Sequence, residues 1–249
     1  MTGRESDSAL AKRLADAAGA LLLKLQRDSG LSGGALGASG DAAANAWLMA
    51  ALRAARPDDA ILSEEEADCP ARLAANRVWI IDPLDGTREY GEGRADWAVH
   101  VALAIAGHAA VGAVALPALG QTLSSADTAA LPLPNQPPRM LVSRSRPAPE
   151  AVAVAQAIGA DLVPMGSAGA KAMAVVRGEG DIYLHTGGQC QWDNCAPVAV
   201  AAAYGLYCSR ANGAPLRYNA AETSLPDLLI CRPEWAEQVL ALVAAGAGA

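Results

Sequence analysis

The chain has 249 residues, enough for one large domain or two modest ones. At 52% hydrophobic and 18% charged it is globular rather than disordered, and with no Phe and 4% aromatics its core must be built from Ala, Leu, Val and Ile. The 19 Lys and Arg against 26 Asp and Glu leave a net charge of −7, which disfavours a DNA- or RNA-binding surface but admits a small anionic substrate held by metal and a few basic side chains.

From Ala9 to Gln26, apolar residues recur at helical spacing (Leu10, Leu14, Ala17, Ala18, Leu21, Leu22, Leu25), which predicts an amphipathic helix. The polar N-terminus carries no secretory signal pattern, and Cys69, Cys190, Cys195, Cys208 and Cys231 form no CxxC pair. A reduced, cytoplasmic protein is expected, its thiols serving as small core residues. Cys190 and Cys195 flank Asp193, which leaves a redox effect on that acid open.

Ser29 to Gly40 is rich in Gly and Ser and reads as a loop. Asp41 then caps or opens a second helix through about Ala55, closed by Arg56-Pro57. Ile61-Leu62 is a short strand running into Glu64-Glu65-Glu66, and further strands are predicted at 78–81, 97–105 and 110–116. Ala98 to Leu116 has the length of a membrane span. It contains His100, His108 and a turn at Ala106-Gly107-His108, so a buried hairpin fits better and no membrane partner is expected.

Prolines 132, 134, 137 and 138 exclude regular structure between Leu131 and Pro138, which marks a domain joint. Residues 1–137 read as an α+β domain and residues 138–249 as an α/β domain, whose strands at 140–142, 161–163, 181–184 and 228–231 alternate with helices at 149–158, 168–177, 196–204 and from Glu234.

The hexapeptide Asp82-Pro83-Leu84-Asp85-Gly86-Thr87 directly follows the buried run Val78-Trp79-Ile80-Ile81. A sharp turn there presents two carboxylates, and oxygen-only ligands favour Mg²⁺. Gly86 allows close backbone approach, and the N–H groups at Gly86 and Thr87 suit an anion. Other acids stand at Asp41, Glu64-Glu65-Glu66 and Asp193. Taken singly, Asp41 reads as a helix cap, the Glu run as a solvated face, and Asp193 as an N-cap to the helix at 196–204.

Together these segments resemble the Mg²⁺-dependent, lithium-sensitive inositol monophosphatase superfamily, which carries Glu-Glu, D-P-[IL]-D-G-T and W-D in this order. Here they are Glu64-Glu65, Asp82 to Thr87, and Trp192-Asp193. Arg88-Glu89-Tyr90, Ser143-Arg144-Ser145-Arg146 and Gly166-Ser167 followed by Lys171 resemble the CysQ branch, the 3′-phosphoadenosine 5′-phosphate (PAP) phosphatases.

The resemblance implies a layered αβαβα sandwich of the inositol monophosphatase and fructose-1,6-bisphosphatase type, and a homodimer. It implies two or three Mg²⁺ per site, held by Glu64, Asp82, the Leu84 carbonyl, Asp85 and Asp193, with Thr87, Asp41 and Glu64 serving the attacking water. Gly86, Thr87, Ser167, Lys171 and Asp193 would bind substrate, with Arg144, Arg217 and Tyr218 as lesser candidates. Arg88 has either substrate or a neighbouring Glu as its partner, and His185 reads as structural. The expected reaction is hydrolysis of PAP to AMP and phosphate, with 3′-phosphoadenosine 5′-phosphosulfate (PAPS) as a further substrate. The alternatives are an inositol-1-phosphate or fructose-1,6-bisphosphate phosphatase and, more remotely, a non-catalytic metal-binding regulator. The chain departs from the family pattern at Gly30, where a Lys is usual, at Ser39-Gly40, where a Thr is missing, at Tyr90 for Phe, and at Cys195 for Ala.

Overall fold

The computed structural model describes residues 4–246. Helices α1 (Asp7–Asp28) and α2 (Gly33–Ala55) precede a five-stranded sheet of β1 (Ala60–Ser63), β2 (Arg77–Asp85), β3 (Ala98–Ile105), β4 (His108–Leu116) and β5 (Gln121–Ser124), with the short helix α3 (Thr87–Gly91) after β2. Strand order follows chain order. Within this sheet, among the described residues, only the β1–β2 pair is parallel.

The second half begins with β6 (Arg139–Ser143), α4 (Pro149–Ile158), β7 (Asp161–Met165), α5 (Ala168–Val176), β8 (Ile182–His185) and β9 (Gln189–Cys190). It continues with α6 (Gln191–Ala203), β10 (Tyr207–Ser209), β11 (Ser224–Leu225), β12 (Leu228–Cys231) and α7 (Pro233–Gly246). Its main sheet has the order β10-β12-β8-β6-β7, and β9 and β11 form a separate ladder.

Side-chain alternation along the strands sorts the residues into five layers, because neighbours on a strand face opposite sides. On β2, Trp79 and Ile81 meet Leu10, Leu14, Leu22, Leu48 and Leu52 of α1 and α2. Val78 and Ile80 face the other way, onto Met173 and Val175 of α5 and Ala196 and Val200 of α6. Leu141, Tyr183, Leu228 and Ile230 of the second sheet cover the far side of that same helix pair. The sheet's outer face, with Met140, Val142, Leu184 and Leu229, packs on Ala151 and Val154 of α4 and Ala236 and Val239 of α7. The order is therefore α1/α2, sheet, α5/α6, sheet, α4/α7: the αβαβα sandwich.

Three local expectations are corrected. The Gly/Ser-rich stretch at 29–40 is mostly helix, since α2 begins at Gly33. Two of its glycines, Gly37 and Gly40, are there for space. A Cβ on Gly37 would stand 2.7 Å from Thr87 Cγ2, and one on Gly40 would stand 2.8 Å from Tyr90 Cε1. Close packing of α2 on α3 thus overrides the poor helix propensity of glycine. Asp41 consequently lies inside α2, buried, and is not its cap.

Second, β2 does not end at residue 81 but runs through Pro83 to Asp85. Asp82 pairs with His100 and Asp85 with Ala98, and a bulge between them accommodates the proline. The turn comes at Gly86, whose φ of 91° favours glycine.

Third, α6 starts at Gln191, so Asp193 lies in its first turn instead of capping a helix at 196. Pro197, a residue type that commonly opens helices, is here in the interior.

Candidate active site

The acids converge where β2 gives way to α3 and meets the first turns of α5 and α6. Oxygens of Asp82, Asp85 and Asp193 all lie within 4.8 Å of one another. Glu64 follows β1, the parallel neighbour of β2, and its N–H donates to the Ile81 carbonyl at 3.2 Å, which brings it alongside Asp82. Asp82 accepts from the Leu84 N–H at 3.0 Å. Asp193 accepts from the Cys190 N–H, which fixes its rotamer in the first turn of α6.

Burial and mutual repulsion raise most of these carboxyls. Asp82 is pushed well above the carboxylate range by burial, then by the charges of Glu64, Asp85 and Asp193. Burial and Asp193 lift Glu64 to about 7, and burial and Asp85 lift Asp193 to about 6. Asp41 also rises to about 6, through burial and Glu65, and its Oδ1 has no hydrogen-bond partner. Such a group of buried, oxygen-only, mutually repelling donors fits hard divalent cations, which would remove the repulsion.

Asp85 is different. Burial alone would raise it, but the charge and contact of His100 and hydrogen bonds from Ser167 and Gly169 hold it at about 2. Its carboxylate accepts from the N–H groups of Ala168 (3.1 Å) and Gly169 (2.6 Å) and from the Ser167 hydroxyl. An acid on the first sheet thus caps the N-terminus of α5, which belongs to the second half. Ser167 is the cap residue itself, at a φ of 40°, and its Oγ also accepts from the Ala170 N–H.

Gly86 lies in the narrowest part of this junction. A Cβ there would be 3.1 Å from the Cβ of Ser167 and 3.2 Å from that of Trp97. Thr87 opens α3, and its hydroxyl, adjacent to Asp41, donates to the Leu84 carbonyl at 3.1 Å. One hydroxyl proton serves either that carbonyl or the Asp41 carboxylate at any instant.

A cleft of about 570 Å³ opens beside these acids, lined among others by Asp85, Gly86, Ser167, Lys171 and Asp193. Lys171 is buried rather than exposed. Its ammonium donates to the Gly166 carbonyl at 2.8 Å and to the Ser167 carbonyl, lies 5.3 Å from the Tyr183 ring centre, and is lowered to about 8 by burial.

Arg88 and Arg144 line the cleft, and both engage neighbouring acids: Arg88 meets Glu92, and Arg144 bridges Glu89 and Glu92. Arg146 also lines it, with no ion pair among the described residues. Arg217 and Tyr218 lie elsewhere. Arg217 meets His108 at the surface, and the buried Tyr218 hydroxyl donates to Asn194. His185 faces the cleft and contacts the Gly188 carbonyl. All five cysteines are free.

Sequence reasoning missed His100. It is fully buried, with Nδ1 at 3.0 Å from the Trp192 carbonyl and Nε2 at 3.2 Å from Asp85 Oδ2. The second contact is close but not aligned as a full hydrogen bond. Burial disfavours a charged ring, but Asp85 outweighs it and the His100 pKa is raised. A histidine inside an otherwise apolar strand pattern was the available signal.

Clustered buried acids beside a cleft lined by Arg88, Arg144, Arg146 and Lys171 have the donor chemistry for a hard cation and an anionic ligand. The chain belongs to the inositol monophosphatase family, whose model matches residues 8–245, and that family consists of metal-dependent enzymes. It is 47% identical to the 3′-phosphoadenosine 5′-phosphate phosphatase of Mycobacterium leprae, over 96% of this chain and 93% of the relative. It is 30% identical to the 3′(2′),5′-bisphosphate nucleotidase CysQ of Escherichia coli, over 74% of this chain and 80% of that protein. Among solved structures, CysQ from Bacteroides thetaiotaomicron matches with a TM-score of 0.76 at 22% identity, covering 91% of this chain and 97% of that one. An inositol monophosphatase from Zymomonas mobilis matches with a TM-score of 0.78 at 21% identity, covering 98% and 100%. The two structures establish the shared fold.

Proposed function

We propose that the protein is a Mg²⁺-dependent phosphatase that hydrolyses the 3′-phosphate of PAP, giving AMP and phosphate, and that it also accepts PAPS. The observation that carries this reading is 47% identity to a PAP phosphatase across 96% of the chain, supported by oxygens of Asp82, Asp85 and Asp193 within 4.8 Å of one another. The remote reading as a non-catalytic regulator is set aside, because the chain belongs to an enzyme family and retains those acids.

Glu64, Asp82 and the Leu84 carbonyl would hold one Mg²⁺, and Asp82, Asp85 and Asp193 a second; a third is left without an assigned donor set. Bound metal would supply a water of lowered pKa and countercharge for the phosphoryl and leaving oxygens. The rest falls to the chain. Thr87 orients the attacking water, and Asp41, with a pKa of about 6, takes its proton through that hydroxyl. Backbone N–H groups at Gly86 and Thr87 hold phosphoryl oxygens. Ser167 and Lys171 face the sugar and the second phosphate, and a Lys171 pKa of about 8 leaves it mostly cationic at neutral pH.

In this reading the enzyme is a cytoplasmic homodimer inhibited by Li⁺. It divides at residue 137, since one five-stranded sheet uses only residues before that point and the other only residues after it. The test is kcat/KM for PAP, PAPS, inositol-1-phosphate and fructose-1,6-bisphosphate on purified protein, with and without Mg²⁺ and Li⁺. PAP is expected to lead by at least tenfold and to require Mg²⁺. A higher kcat/KM for inositol-1-phosphate or fructose-1,6-bisphosphate would replace the substrate assignment.

A further inference from the structure

His100 belongs to the face of β3 that packs into the central helix layer, and its companions on that face are Ala98, Ala102 and Ala104. A buried imidazole among alanines requires polar partners. It has two, from different elements. Nδ1 meets the carbonyl of Trp192, the residue before Asp193, and Nε2 meets Asp85 across the β2 bulge. Nδ1 also lies 4.0 Å from Asp82 Oδ2.

The space for the ring is kept open by Gly169, where a Cβ would overlap His100 Nε2. That glycine occupies the first turn of α5, where alanine would favour the helix. One ring therefore touches the donor group at three points: directly at Asp85, nearby at Asp82, and through the backbone leading into Asp193.

We propose that His100 is a positioning residue that holds the Asp85 carboxylate toward its metal and ties it to the α6 segment carrying Asp193. This rests on the reading above that Asp82, Asp85 and Asp193 hold metal. The ring does not line the cleft, so it acts through Asp85 and not on substrate. Groups that orient metal-binding side chains in this way typically contribute 10- to 100-fold to metal affinity.

The two ring nitrogens permit a directional test. A Gln side chain places its amide near the Nε2 position and keeps a donor for Asp85. An Asn side chain matches Nδ1 and keeps only the Trp192 contact. Mn²⁺ would be titrated into metal-free wild type and the His100→Gln, His100→Asn and His100→Ala variants, with free Mn²⁺ read by electron paramagnetic resonance and folding by thermal denaturation. The expected result is His100→Gln within about threefold of wild type, with His100→Asn and His100→Ala weaker by about 10- to 100-fold. If His100→Ala does not fold, the Gln–Asn contrast decides. Equal affinities for Gln and Asn, or an Asn variant that binds as tightly as wild type, would overturn the proposal. Wild type that leaves Mn²⁺ free would overturn the metal-site reading and this inference with it.

Discussion

Asp82 and Asp85 lie three residues apart on the same strand, both buried, and their environments are opposite. Asp82 faces Glu64, Asp85 and Asp193, and burial and the repulsion of all three force its pKa upward. Asp85 faces α5 and His100, whose donors bring it down to about 2 despite burial. One wall of the cleft therefore carries uncompensated charge that metal would relieve. The other wall is braced by donors from the protein itself and joins the two halves. Identical side chains divide the work because the bulge between them directs one toward other acids and the other toward a helix N-terminus.

The sharpest way to break this contrast is paired Asn substitution. Asp82→Asn should lower kcat/KM by about 10³-fold or more, roughly 4 kcal/mol of transition-state stabilisation. Urea denaturation of metal-free protein at pH 8 should nevertheless find this variant at least as stable as wild type, since a repelled charge is gone. Asp85→Asn should also reduce activity, but it should destabilise the metal-free fold by about 2–3 kcal/mol, because hydrogen bonds to a charged acceptor are lost. Equal effects of the two substitutions on stability would remove the distinction between the walls.

The same contrast predicts an inverted pH dependence. Glu64 at about 7 and Asp193 and Asp41 at about 6 lie above their ordinary values, so the folded metal-free chain holds protons that the unfolded chain releases. Their contribution to stability is full below about pH 4 and is lost as pH rises through 6–7. Asp85 has the opposite sign, its contribution disappearing as pH falls toward 2. Metal-free protein should thus lose melting temperature between pH 5 and pH 8, and Mg²⁺ should recover it mainly at pH 8. A metal-induced shift that is larger at pH 5 would contradict this assignment.

Smaller effects test the supports behind each wall. Gly40→Ala should cost about 1–3 kcal/mol by overpacking α2 against Tyr90 and Leu84, read from the denaturation midpoint. Ser167→Ala should cost about 1 kcal/mol through loss of the α5 cap and its bond to Asp85. Tyr90→Phe removes the hydroxyl that donates to the Leu22 carbonyl at 2.8 Å and should cost about 1 kcal/mol. This last contact explains why a Tyr is accommodated where the family usually has Phe: the added oxygen is buried but partnered.

Much of this architecture was legible in the chain. Helical spacing located α1, alternation and apolar runs located β2 to β4, and the proline cluster at 132–138 marked the passage between sheets. The short β5, β9, β10 and β11 and the five-residue α3 carry too few residues to show a period, and they passed unread. The start of α2 was misread because Gly37 and Gly40 are breakers by propensity and necessities by packing. His100 was passed over because neither of its partners, Asp85 and the Trp192 carbonyl, is implied by the residues beside it on β3.

By itself the sequence determined which residues carry charge, which segments alternate, and that three acidic motifs occur in a spacing known from one family. These are local or ordered properties, visible along one dimension. Tertiary structure decided that Asp85 caps a helix from the other half while Asp82 remains among repelling acids, that Lys171 is buried, and that one imidazole joins β2, β3 and α6. A pKa or a donor's aim depends on what arrives through space, and burial and Coulomb forces act over a few ångströms whatever the separation along the chain.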